Sequence, residues 1–195
     1  MNKKFIILII IVLLIIAGGL FWWWQSGREM AKEVKEKPSV TETTVATGKI
    51  IPPPGVSPET FEIVGLTETT TPDIQGDFSG KIYEEGVTVI GAMVKGKEFG
   101  LMKVVIASKG KPETSLILDS KSTAVGLIFT TPFFMTNDPQ KARELLAIIE
   151  NDPKVQALAE VIESVFITEE DFLDNPTYQQ ASKEAVESVL STLNP

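Results

Sequence analysis

Five short groupings hold the side chains that could do chemistry. Asp73-Ile74-Gln75-Gly76-Asp77 sets two carboxylates around a glycine, the outline of a calcium loop. An EF-hand loop needs further oxygen ligands and a late bidentate Glu, which is out of register here. Turn chemistry accounts for Asp and Gly at this spacing without any ion, because Asx side chains bond their own backbone. Ser108-Lys109-Gly110-Lys111 has the S-x-x-K spacing of penicillin-binding enzymes, whose serine opens a buried helix beside S-D-N and K-T-G motifs. Neither companion motif is present, and Gly110 and Pro112 mark a turn. Ser120-Lys121-Ser122 could supply a Ser-Lys pair of the membrane-anchored peptidase kind. Adjacent residues seldom aim both side chains into one site, and helix capping accounts for the serines. Glu84-Glu85 and Glu169-Glu170-Asp171 could supply an acid/base pair. One lies at a turn and the other at a helix start, where solvation and the helix dipole favour acids. Every grouping therefore reads first as local structure. No catalytic, cofactor-binding or metal-binding residue is assigned, and no cofactor is expected.

Composition narrows the chemistry further. The chain has no histidine and no cysteine. Ser-His-Asp and Cys-His catalysis are impossible, as are zinc sites built on those residues. No disulfide framework exists, and lipid attachment through a processed N-terminal cysteine is excluded. Lys plus Arg is 18 and Asp plus Glu is 26. Two of the lysines precede a long apolar run, so the body beyond it holds 16 basic against 26 acidic groups, or -10. Such a body repels phosphate backbones, and no nucleic-acid partner is expected. It should also stay off anionic lipid surfaces.

The apolar run is Phe5 to Trp24, FIILIIIVLLIIAGGLFWWW. As a helix at about 1.5 Å per residue it would span roughly 30 Å, the thickness of a bilayer's hydrocarbon core. Lys3 and Lys4 precede it, and Trp22, Trp23 and Trp24 close it at headgroup level. Secretory signals have shorter apolar regions and a small-residue cleavage site, so a retained single-pass anchor is expected in place of a cleaved signal. Lys and Arg flank both ends. Those after the run alternate with Glu29, Glu33 and Glu36, and a span this near the N-terminus commonly acts as a signal-anchor. The body is therefore expected on the extracytoplasmic side of a cell membrane. Residues 26–47, charged and then Thr-rich, read as a juxtamembrane stalk.

From Gly48 to Leu118 the pattern is that of strands. Thr60–Val64, Asp77–Tyr83, Val87–Ile90, Phe99–Ala107 and Thr114–Leu118 alternate or are β-branched. Pro52-Pro53-Pro54-Gly55, Gly86, Lys95-Gly96-Lys97 and Lys109-Gly110-Lys111-Pro112 punctuate them, suggesting an antiparallel sandwich. From Ser120 the period becomes helical. Ser120 or Ser122 can cap a short helix through Phe129 that is apolar on nearly every side and hence buried, and Thr131-Pro132 ends it. About a dozen residues, Ala124–Met135, cannot span a bilayer as a helix. Asn137-Asp138-Pro139, Asn151-Asp152-Pro153 and Asp174-Asn175-Pro176 each start a helix with an Asx cap and proline in the first turn. Thr168-Glu169-Glu170-Asp171 resembles a capping box. Apolar residues follow the starts at helical spacing: Ala142, Leu145, Leu146, Ile149; Val155, Leu158, Ala159, Ile162; and Tyr178, Ala181, Ala185, Val189. Val186 and Leu190 widen the last stripe.

Thr70-Thr71-Pro72-Asp73-Ile74-Gln75-Gly76-Asp77-Phe78-Ser79-Gly80-Lys81-Ile82 resembles the T-D-x-x-G-x-F turn of carboxypeptidase regulatory-like, transthyretin-type β-sandwich modules. The resemblance covers about residues 48–107. It implies that Asp73 and Gly76 form the turn and that Phe78 points into the core. Ser120 to Ile162 is similar to C-terminal helical regions of uncharacterised bacterial surface proteins that carry such modules. The resemblance implies a structural or ligand-presenting role outside the cell and transfers no catalytic residue.

The expected fold class is α+β: a transmembrane helix (1–25), a stalk (26–47), a small antiparallel β-sandwich (48–118) and a helical bundle packed on it (119–195). The expected function is a non-catalytic, membrane-anchored scaffold or binding module. Its expected partners are the bilayer through residues 5–24 and an envelope protein, peptide or glycan. The alternatives are an envelope enzyme or enzyme subunit working with carboxylates alone, and an accessory subunit of an envelope complex.

Overall fold

The structure, a computed structural model, describes residues 42–95, 97, 100–166 and 172–193. The expected span at 5–24, the stalk as far as residue 41 and the Thr168–Asp171 helix start lie outside them. Among the described residues no helix is long and apolar enough to cross a membrane.

The described chain is α+β. Six strands come first: β1 (Thr43–Ile50), β2 (Phe61–Val64), β3 (Asp77–Tyr83), β4 (Gly86–Val94), β5 (Gly100–Ala107) and β6 (Glu113–Leu118). Four helices follow: α1 (Ser120–Phe129), α2 (Pro139–Asn151), α3 (Pro153–Val165) and α4 (Pro176–Leu193). Alternation sets the strand faces. In β3, Phe78 and Ile82 are buried while Asp77, Ser79, Lys81 and Tyr83 face outward.

The strands form two three-stranded sheets, ordered β3-β1-β6 and β2-β4-β5. β1 and β3 run antiparallel from Thr43↔Tyr83 to Lys49↔Asp77. β4 and β5 do so from Gly86↔Ala107 to Met93↔Gly100. The expectation of purely antiparallel pairing fails at one place, because β6 lies parallel to β1. A parallel pair needs a long connection, and all of β2 to β5 lies between these two strands. β5 and β6 are joined by a tight turn, with Lys111 N–H donating to Ser108 O, yet they enter different sheets. The β1–β6 register shifts between Ala46↔Glu113 and Gly48↔Leu116, so β6 uses one residue more than β1 there. Ser115, within that bulge, takes φ +60°, a left-handed conformation in which the sheet re-aims its side chains.

Two boundaries also move. β1 begins at Thr43, so Thr43–Thr47 belong to the sheet and not to the stalk. Thr44 and Ala46 are buried, an inward row that the abundance of threonine disguised. The cap of α1 is Asp119 in place of Ser120 or Ser122. Asp119 Oδ1 accepts from Ser122 N at 2.7 Å, and Ser122 Oγ accepts from Asp119 N at 2.9 Å. A carboxylate is the stronger acceptor at the positive end of a helix.

Both halves share one apolar core. α1 is buried on most of its circumference, as its composition predicts, and packs between β5 and α3. A Cβ at Gly126 would lie 2.9 Å from Met102 Sδ, so the α1 backbone sits directly on the strand. The Phe61 ring of β2 stacks on Phe166 at the end of α3, with centroids 6.2 Å apart. The two rings join sheet to bundle.

Candidate functional site

The polar groups singled out by sequence are placed by turns and helix starts, and most serve those turns. Asp73 Oδ1 accepts from Gln75 N and Asp77 N, each at 2.9 Å. Gly76 N donates to Asp73 O, and Gly76 takes φ +86°, where a side chain would be strained and its Cβ would collide with Ile50 O. Asp73 and Gly76 form the turn and Phe78 is buried, as the sequence pattern implies. One Asp73 oxygen is engaged by backbone, an Asx turn closed on itself. Among the described residues no group of three or more acidic, His or Cys side chains converges to hold a metal ion.

Ser122 and Thr123 have a different task from the one their neighbour Lys121 suggests. Ser122 Oγ donates to Met102 O at 2.9 Å, and Thr123 Oγ1 accepts from Met102 N at 3.0 Å while donating to Asp119 O at 2.6 Å. β5 is the edge of its sheet, paired with β4 on one side only. The first turn of α1 therefore takes the place of a missing strand, satisfying one N–H and one C=O on the open edge. Lys121 is exposed. No nucleophile is assembled here.

The S-x-x-K segment forms the β5–β6 turn, with Gly110 at φ +67°. Ser108 Oγ is 3.4 Å from the Arg143 guanidinium of α2. Lys109 Nζ lies 3.3 Å from Glu42. Glu84 and Glu85, at the β3–β4 turn, stand close enough to act on the same cation. The Lys109 ammonium is held above its usual range, first by its hydrogen bond and charge interaction with Glu42, then by Glu85 and Glu84. Sequence foresaw the Glu pair but not Glu42, which arrives only because β1 starts early. All of these groups are at the surface, and the arrangement is a solvated ion network. Glu169-Glu170-Asp171 lies outside the described residues.

Asp152, capping α3, is a buried carboxylate. Oδ1 accepts from Lys154 N at 2.7 Å and Oδ2 from Ser188 Oγ at 2.8 Å, tying α4 to the start of α3. At the surface, Lys154 pairs with Glu184 at 2.8 Å. Hydrogen bonds from Lys154 and Gln180 hold the Glu184 carboxyl below its usual range.

One open concavity is mainly apolar. A groove of about 490 Å3 runs along α4 against the loop after α1. Its walls include Phe133, Tyr178, Ser182, Val186 and Leu190, with Lys183 and Glu187 on the rim. Phe133 is 68% exposed while the adjacent Phe134 is buried. Tyr178 is buried, and loss of water raises its phenol above the usual range against a hydrogen bond with Ser182 that lowers it. The one sequence signal for this groove was the extra width that Val186 and Leu190 gave the α4 stripe. A helix packed on one side only has no use for that width.

No known protein family matches the chain, and no curated protein matches it.

Proposed function

We propose that this chain is a membrane-tethered scaffold or binding module whose folded body, residues 43–193, lies outside the cytoplasm and acts by holding a partner, not by catalysis. The observation that carries the reading is the uncharged run from Phe5 to Trp24, long enough for a bilayer, which precedes in sequence an α+β body with its own apolar core among the described residues. The deployment of the reactive side chains supports it. Asp73, Asp119 and Asp152 cap turns and helices, and Ser122 and Thr123 close a sheet edge. The Thr70–Ile82 resemblance to transthyretin-type modules fits a presenting role, with an envelope protein, peptide or glycan as the partner class.

Washing membranes with alkaline carbonate tests the tether: the full-length chain should stay with the lipid pellet, and its release into the supernatant would refute the reading. Protease added to intact cells tests sidedness. The body should be digested from outside; full protection until lysis would place it in the cytoplasm.

A further inference from the structure

We propose that the groove along α4 is a two-fold interface with a second copy of this chain. The body as a whole is acidic, so most of its surface repels itself. The groove along α4 can escape that repulsion. Its floor is apolar, and its rim carries one cation and one anion, Lys183 and Glu187, one helical turn apart. Two antiparallel copies of α4 related by a two-fold axis bring each Lys183 opposite the partner's Glu187, and each Glu187 opposite the partner's Lys183. A rim with opposite charges one turn apart is complementary to its own inverted copy, as a two-fold interface requires.

The present pairing leaves both groups available. Lys183 Nζ and Glu187 Oε1 are 3.9 Å apart within one helix, and both side chains are about two-thirds exposed at 68% and 64%. The neighbouring Glu184, by contrast, is taken by Lys154 at 2.8 Å and does not add to the rim. Gln179, Ser182, Val186 and Leu190 fall at successive spacings of three and four along the same face. Ser182 is small enough to let helices approach closely. Phe133 stands at the edge of that stripe, exposed and beside Tyr178, in the position of an aromatic anchor for the opposing groove. An anionic lipid surface is disfavoured by the charge of the body. The interface lies in α4 and the loop after α1 and does not require residues 5–24 to enter a bilayer.

The test uses the full-length chain in mild detergent, with mass measured by light scattering across a concentration series. The wild type should reach twice the protomer mass. Lys183→Glu alone and Glu187→Lys alone should each weaken self-association at least about tenfold, since each sets like charges face to face. Mixed in equal amounts, the two variants should recover the association, each supplying the charge the other lacks. Unchanged thermal melting of both variants shows that the fold is intact, as expected for exposed positions. A chain that stays monomeric at every concentration overturns the proposal, and so does a dimer indifferent to both reversals, which would associate elsewhere. A Phe133→Ser variant that dimerises as tightly as the wild type would show that the groove is not buried between copies and also overturn it.

Discussion

The sheet half and the helical half of this body are specified by different means. Residues 43–118 are held by backbone ladders whose geometry leaves almost no room. At Gly48 an added Cβ would collide with Leu116 O and lie 2.7 Å from both Leu116 Cβ and Phe78 Cζ. Residues 119–193 are held by a repeated local device, an Asx cap followed by a helix-starting residue, and by apolar stripes that fill the space between. Asp138, Asp152 and Asn175 each accept from backbone N–H groups two and three residues on. The sheets depend on what is absent from a position, the helices on what is present. A substitution at Gly48 fails by collision, and one at Asp152 by loss of a bond.

That contrast can be pushed until it breaks. The largest effect is expected at Gly48→Val, where backbone and a buried ring block the new side chain; the cooperative thermal transition should be lost. Retention of a normal melt would show that the β1–β6 bulge adapts. Next is Phe61→Ala, which removes the ring shared by the two halves. It should cost about 3–5 kcal/mol in chemical denaturation. If the halves then unfold in separate steps, the Phe61–Phe166 contact is what couples them. Asp152→Ala should cost about 1–3 kcal/mol through loss of a cap and of the Ser188 bond. A double-mutant cycle with Ser188→Ala reads the second part alone, and additivity would show that the link to α4 carries no coupling.

The smallest effect is pH-dependent. The folded Tyr178 phenol titrates above its unfolded value of 10.0, so its contribution is complete below pH 10 and is lost as pH rises through the folded value. Stability should therefore fall in strong alkali with a slope of at most about 1.4 kcal/mol per pH unit from this group. Tyr178→Phe should flatten that slope, and an unchanged slope would assign it to other groups.

Much of this was legible in the sequence, and the failures have physical causes. β3 lies at Asp77–Tyr83 as alternation predicts, and the Asx-Pro starts fall at α2, α3 and α4. Both signals are local. The parallel partnership of β1 and β6 was not legible, because strand pairing depends on contacts between residues nearly seventy positions apart, such as Ile50 and Leu118. Asp119 was passed over because Asp119, Ser120 and Ser122 crowd three capping oxygens into four positions. In the fold Ser122 Oγ donates to Met102 O, and Asp119 takes the cap. The groove was half legible. Val186 and Leu190 announced a second apolar side to α4, but periodicity cannot reach Phe133, which lies in an irregular loop.

The place of β1 in its sheet has a mechanical consequence. It is the first described strand, yet it lies in the middle, between β3 and β6. A force directed along β1 would load the hydrogen bonds to both neighbours sideways and together, where an outer strand pulled across its axis would peel one bond at a time. The first strand of the body is thus braced on both sides against being drawn out along its own axis.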